Sequence, residues 1–526
     1  MLPRPNPSAY PAHQATKQPD MRTQAVATAP VTHTLQEHYT CQEVYQLATA
    51  ATKIALSEAQ VSRVEQCRAY LESKIEGGNR IHYGINTGFG DNANIAISPE
   101  HLEALQLNLV RSHAVGMGDE VPAEIVRIML LLKVISLCGG YSGIRTAVVE
   151  QLSETFNANI SPIVYQYGSL GASGDLAPLA HISLVLMGEG EARDANGNLL
   201  SGNQALALAG LKPLRLQSKE GLALLNGTQF MSAYGVWLIT HAFRIFDWAQ
   251  ALAALSCEAF LASNDPFHPA IHKARPHRGQ MLAAEQILSL RAGSQLAGTS
   301  GRVQDPYSFR CIPQVHGASW DTFKHVESVL ETEVNATTDN PNVFPDEDRI
   351  LSGGNFHGQP LALVLDFLAI ALAELGNISE RRTYLLMAGK NDTKVFLADN
   401  PGLESGLMIA QYLAAGLVSA NKQLCTPASV DSIPSSNGQE DHVSMGANAA
   451  TKCYRVVENL YRILAVEWMS AYAALNPARR QRLSPTLAPL CDMAEGPLAI
   501  GHGDRFLSPE LQRLENYLRN NACPLG

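Results

Sequence analysis

The sequence predicts an all-α fold built on a long central helix bundle, with a smaller mixed region ahead of it. Three observations carry the prediction. Apolar residues recur at helical spacing through Gly317–Asn335, Gly358–Met387, Gly402–Leu424 and Met445–Leu475, and the longest of these runs exceed an ordinary globular helix. Strand-like segments are few and short. Hydrophobic residues make up 46% of the 526, enough for a large core.

The elements follow in order. Residues 1–34 are rich in Pro, Ala, Gln and Thr without periodicity and predict a disordered leader. Leu35 to Lys74 predicts short amphipathic helices, and HYGINTGFG, His82–Gly90, predicts a Gly-rich loop. That loop lacks the strand-to-helix context and the Lys-Ser/Thr of a phosphate cradle; the alternative is a mobile loop presenting Tyr83. Ser98-Pro99-Glu100 opens a helix ending near Arg111-Ser112-His113, and Pro122–Cys138 is a buried helix stopped by Gly139-Gly140. Leu176–Gly188 is helical, Asp194–Pro213 is a hairpin or loop excursion, and Asn226 lies in a turn before a helix running to about Phe260. Beyond Gly293 a polar linker leads to RVQDPYSFRCIPQ, Arg302–Gln314, and then the bundle. The expected division is a leader (1–34), an N-terminal region (35–215), a central helical bundle (216–480) and a helical tail (481–526).

Composition narrows the function. A net charge of −10 with no long basic run argues against nucleic acid or an anionic membrane as partner and favours small-molecule chemistry. Nine scattered cysteines, odd in number and free of any CxxC, suit a reducing cytosol and argue against a disulfide framework or a zinc site. Lys133, or Asp366 and Glu374, interrupt the most apolar runs, which therefore read as buried helices and not membrane spans.

Chemistry concentrates in Tyr165–His181, YQYGSLGASGDLAPLAH. Gly174 lacks a side chain, so its nitrogen can fold back onto the Ala172 carbonyl carbon in a tight bend. Ring closure loses one water and the Ser173 hydroxyl leaves in another, giving a methylidene on a five-membered imidazolone, an electrophile that no ordinary side chain matches. Taken alone, the run also reads as a Gly/Ser loop capping a helix, with Asp175 at its start and Pro178 in its first turn. An electrophile needs a base, a carboxylate anchor and a side-chain pocket. Tyr83 is a candidate base if a neighbour lowers its pKa. Arg310 is a candidate for two parallel bonds to a carboxylate. Asn226, Gln304, Tyr307 and Asn340 are hydrogen-bonding candidates, each otherwise an ordinary packed or surface residue. His113 is either a satisfied, partly buried histidine or a contact to a polar ring. Glu440, beside Asp441 and His442, is a single carboxylate suited to a substrate N–H such as that of imidazole; HExxH and HxxxH spacings are absent, so no metal is expected.

From about Thr40 to Leu475 the chain resembles the aromatic amino acid ammonia-lyases, through GASGDLAPLAH, HYGINTGFG, NLVRSHAVG, EGLALLNGT, QDPYSFRC, TDNPNVF, GGNFHGQ and QEDHVSMG. The resemblance implies a 4-methylidene-imidazol-5-one formed from Ala172, Ser173 and Gly174. It implies Tyr83 as base, Tyr307 as a second catalytic residue, and His113, Asn226, Gln304, Arg310, Phe356 and Glu440 as substrate-binding residues. It further implies a fumarase/aspartase-like helical bundle and a cytoplasmic homotetramer whose active sites combine residues of several subunits. Ser112-His113, Glu440, QDPYS and SERR (Ser379–Arg382) are similar to the histidine-specific branch, whose reaction eliminates ammonia from L-histidine to give trans-urocanate. Three departures keep alternatives open: Gly358-Gln359 resembles the tyrosine branch, PSSNGQED (Pro434–Asp441) is atypical, and KNDTKVFLADN (Lys390–Asn400) replaces an apolar segment near the pocket. An Asp392 or Lys394 facing the substrate would redirect specificity toward a modified histidine such as ergothioneine, and an aminomutase would share the ring.

Overall fold

The computed structural model describes residues 31–76, 83–88, 90 and 94–524. The leader therefore lies outside the described residues as far as residue 30, as do His82 and Phe89 of the Gly-rich loop. Thr32–Thr34, expected to be leader, is instead a short strand pairing in parallel with Lys53–Ala55.

The centre is a bundle of long helices, as expected. Gln229–Phe260, Ile312–Val334 and Gln359–Leu386 pack against one another, and Gly446–Ala474 packs against the first and third. The first of these has 32 residues, spans about 48 Å at 1.5 Å per residue, and is buried on nearly every side. A helix apolar all round belongs inside a large core. The Gln359–Leu386 helix is long and apolar enough to cross a bilayer, but most of its apolar stretch is buried within the bundle. Ala123–Cys138 packs on the central helix from the N-terminal side, and one continuous apolar core joins the two regions.

The bundle completely buries a matched pair of charges. Arg382 and Glu467, both fully buried, are bonded at 2.6 and 3.0 Å, and the Ser256 and Ser379 hydroxyls donate to the same carboxylate at 2.7 and 2.5 Å. Such a pair offsets its desolvation only when every lone pair finds a donor.

The mixed N-terminal region carries small sheets. Glu191–Arg193 and Leu199–Ser201 form a hairpin, with Ser161–Pro162 as a third strand; it begins ahead of the Asp194–Pro213 excursion, and Gly202–Leu208 within that stretch is a helix capped by Ser201. Met117–Glu120 pairs with Tyr165–Tyr167, the strand that enters the Ala-Ser-Gly loop. One bundle helix is shorter than its pattern: Gly402–Leu424 becomes Met408–Leu424, because Ser405 and Gly406 donate their N–H groups to Asp504 at 2.9 and 2.7 Å in a turn. The tail forms two helices, Ala488–Glu495 and Ser508–Asn520.

Candidate active site

The Ala172-Ser173-Gly174 loop is gripped from two sides. On one, the Gly171 carbonyl accepts from Ser444 Oγ at 2.8 Å and from the Gly358 N–H at 3.1 Å, while the Leu170 carbonyl accepts from Met445 at 2.9 Å. Ala172 packs there against Val443 and Met445. On the other side, the Asp175 N–H donates to the Gly227 carbonyl at 2.7 Å, and Asn226 Nδ2 donates to the Ser173 carbonyl at 2.8 Å.

Asp175 differs from its expected role. It precedes the Leu176–Leu186 helix but does not cap it with its side chain. Its Oδ2 instead accepts the Phe230 and Met231 N–H groups, both at 3.0 Å, and Oδ1 accepts the Ser169 hydroxyl at 2.8 Å. The carboxylate thus satisfies orphan donors at the start of the central helix and ties the loop to the bundle. Burial pushes its pKa up to about 7, against which these three donors favour the ionised form.

A backbone ring closed from the Gly174 nitrogen onto the Ala172 carbonyl carbon fits this cradle. Gly174 has φ +74°, and a Cβ there would lie 2.7 Å from the Gly227 carbonyl carbon and 2.8 Å from its nitrogen, so no L side chain is tolerated. The Ser173 oxygen, which would become the ring carbonyl oxygen, already has its donor in Asn226. Asn226 is itself buried, and among the described residues its Oδ1 has no hydrogen-bond partner.

A cavity of about 580 Å³ opens over the loop and brings Tyr83, His113, Ala172, Ser173, Asn226, Phe356 and Glu440 together. Asn340 lines it too, with its Oδ1 accepting from Gly353 N at 2.7 Å. Glu440 Oε1 accepts the Ser173 hydroxyl and Oε2 accepts the Ser435 hydroxyl at 2.6 Å. His113 Nδ1 sits 2.8 Å from the Leu109 carbonyl, which makes Nδ1 the donor and leaves Nε2 an acceptor in the neutral ring. Burial lowers the His113 pKa and favours that neutral form. Tyr83 departs from expectation: burial raises its phenol above the ordinary value, Glu440 adds to the rise, and only the Gly90 N–H, 3.4 Å away, opposes it.

Gln304, Tyr307 and Arg310 are not brought to this cavity. They lie on an outer strip, with Gln304 exposed, Tyr307 70% exposed, and the Arg310 guanidinium 4.7 Å from the Tyr307 ring centre. Arg310 Nε is buried without a hydrogen-bond partner among the described residues. Asp392 and Lys394 do not line the cavity either. Lys394 pairs with Asp399 at 3.2 Å, and the neighbouring Asn391 accepts from Arg302 at 3.1 Å, which sets this segment beside the outer strip. Sequence reasoning missed Ser169 and Ser444, which hold the loop, and His357 and Gln439, which line the cavity. All four fall inside the motifs quoted above, but nothing local singles them out from their neighbours. Among the described residues no three His, Cys, Asp or Glu side chains converge on a metal position.

The motifs have counterparts in known proteins. The family model for aromatic amino acid lyases matches residues 39–495. The chain is 47% identical to a histidine ammonia-lyase of Symbiobacterium thermophilum over 92% of its own length and 96% of the relative's. It superposes on the crystal structure of histidine ammonia-lyase from Trypanosoma cruzi with a TM-score of 0.86 at 40% identity, covering 93% of each chain. The tyrosine aminomutase of Streptomyces globisporus gives a TM-score of 0.87 at 33% identity, covering 93% of this chain and 96% of that one. With its loop, its bundle and nearly its whole length matched, this chain belongs to the aromatic amino acid lyase family.

Proposed function

We propose that the protein eliminates ammonia from L-histidine to give trans-urocanate, using a 4-methylidene-imidazol-5-one formed from its own Ala172, Ser173 and Gly174. The observation that carries this reading is that Glu440 and His113 line one cavity with Ser173. A carboxylate suits a substrate ring bearing a donor such as the imidazole N–H, and a benzene ring would leave it unmatched. The identity to histidine ammonia-lyases supports the same substrate.

Once formed, the ring supplies the electrophile that makes the substrate's amino group a leaving group. The residues do the rest. Asn226 Nδ2, 2.8 Å from the Ser173 oxygen, stabilises electron density drawn to that atom. Tyr83 Oη takes a proton from the substrate β-carbon, and His113 and Glu440 hold the imidazole while Phe356 packs beside it. Arg310 holds the carboxylate with Gln304 and Tyr307 beside it. Because these three lie outside the cavity of their own chain, they act in the cavity of a neighbouring copy, in a homotetramer with shared sites. Cys41, Cys67, Cys138, Cys257, Cys311, Cys425, Cys453 and Cys491 are free thiols, which supports a cytoplasmic enzyme.

The test offers purified protein L-histidine, tyrosine, phenylalanine and ergothioneine in parallel and follows the ultraviolet absorbance of the conjugated acid. Urocanate is the expected main product, and a clear preference for tyrosine would overturn the assignment. Ser173→Ala should nearly abolish turnover and leave an intact mass equal to the one its own sequence encodes, with no water lost; full activity in this variant removes the ring from the account. The likeness to the aminomutase favours a second reading, in which ammonia is re-added. A β-amino acid among the products would identify it.

A further inference from the structure

Lys133 is a buried lysine that makes no ion pair among the described residues. It is 2% exposed on the Ala123–Cys138 helix, among Leu130, Leu131, Leu132 and Val134, which are also buried. The other fully buried basic groups Lys219, Arg291 and Arg382 each meet a carboxylate, at 2.7, 2.7 and 2.6 Å. Among the described residues, none comes within ion-pair distance of Lys133; its one hydrogen bond runs from Nζ to the backbone carbonyl of Asn226, 2.7 Å away. Burying an ammonium costs several kcal/mol, and an apolar side chain would fit such a helix without that cost. The location suggests what the cost secures. Asn226 is the residue whose amide donates to the Ser173 oxygen, and its other side-chain atom, Oδ1, has no partner among the described residues to steady it.

We infer that Lys133 is a positioning residue: its ammonium anchors the Asn226 carbonyl, which aims the Asn226 amide at the Ser173 oxygen and sets a positive charge behind the electron-accepting end of the ring. A cation in a dry site acts on developing negative charge far more strongly than one in water. The chain of contacts is continuous, from Nζ to Asn226 O at 2.7 Å and from Asn226 Nδ2 to Ser173 O at 2.8 Å. Asp339 and Asp175 lie close enough to favour the charged form, while Lys219, bonded to Asp339, opposes it. Burial brings the Lys133 pKa down to about 7, so the positive form persists near neutrality without being locked in.

The inference rests on the proposed ring, not on the identity of the substrate. Its test compares the parent enzyme with K133M, K133R, N226A and K133M/N226A by steady-state kinetics, intact mass, the near-ultraviolet difference spectrum and thermal unfolding. The parent mass, lighter than the encoded chain by two waters, checks the ring itself, and a parent without that loss would fail the proposed function. K133M is expected to keep the ring mass and an unfolding temperature at or above the parent's. Its kcat should fall about 10- to 100-fold with little change in KM, and its ring absorbance should shift. In the N226A background K133M should add less than about threefold, because both changes remove one pathway. K133R keeps charge and donor and should retain turnover within about threefold. Native kcat in K133M, additive losses in the double variant, or a K133M chain that retains both waters would each overturn the inference. If K133M does not accumulate as folded protein, K133R decides: a loss beyond about tenfold in a folded, cyclised K133R overturns it.

Discussion

Tyr83 shows how a side chain's surroundings set its working range. Burial is the main cause that holds its phenol above the ordinary value near 10. A base works deprotonated, so the phenolate fraction is small at neutral pH and grows as pH climbs toward the raised pKa. We expect kcat/KM to rise with pH between about 7 and 10, and a profile that falls over that interval would remove Tyr83 as the base. Y83F should lose about 10²- to 10⁴-fold in kcat with the ring mass intact. Glu440 supports a sharper discrimination. Its Oε2 is held by Ser435 at 2.6 Å, so the side chain is fixed over the loop. E440Q should cut kcat/KM for histidine by about 100-fold while changing the residual rate on tyrosine by less than about threefold. Equal losses on both substrates would show that Glu440 serves the loop and not the imidazole.

At the scale of elements, the loop depends on helices far from it in sequence. Asp175 satisfies donors at the start of Gln229–Phe260, and Ser444 and Met445, just before Gly446–Ala474, hold the loop from the other side. The bundle is therefore the jig in which Gly174 is pressed against Gly227. Its internal charge network makes that jig sensitive to single changes. R382M would leave Glu467 buried without its cation, and we expect a stability loss of about 3–5 kcal/mol, read as a fall in thermal unfolding temperature. R382M/E467L, which removes both charges, should recover most of that loss. If the double variant is as weak as the single one, packing and not charge is the cause.

At the scale of the whole molecule, the proposed site is split. Tyr83, the loop and Glu440 share one cavity, whereas Gln304, Tyr307 and Arg310 sit on an outer strip of the same chain. If copies exchange these halves, two inactive variants should complement each other. Y83F and R310M, each nearly inactive alone, should when co-expressed recover up to about a quarter of native activity, the share of sites that draw both halves from unmutated copies. No recovery in verified mixed oligomers would place both halves in one chain and require a different route for Arg310.

The sequence by itself determined the parts that short-range physics governs. Helical periodicity marked Gln359–Leu386 and Gly446–Ala474 to within a residue or two, because burying one face of a helix imposes its spacing locally. Glycines around Ser173 marked the bend, since only that residue type tolerates it. The start of Met408–Leu424 was misplaced because the competing turn is held by Asp504, about a hundred residues away. Only the tertiary structure decided that Asp175 caps a neighbouring helix, that Glu440 meets Ser173 across 267 residues of chain, that Lys133 donates to the Asn226 carbonyl, and that Arg310 does not line the cavity of its own chain. Hydrogen-bond partners and burial depend on which surfaces meet once the helices pack, and no spacing along the chain encodes that meeting.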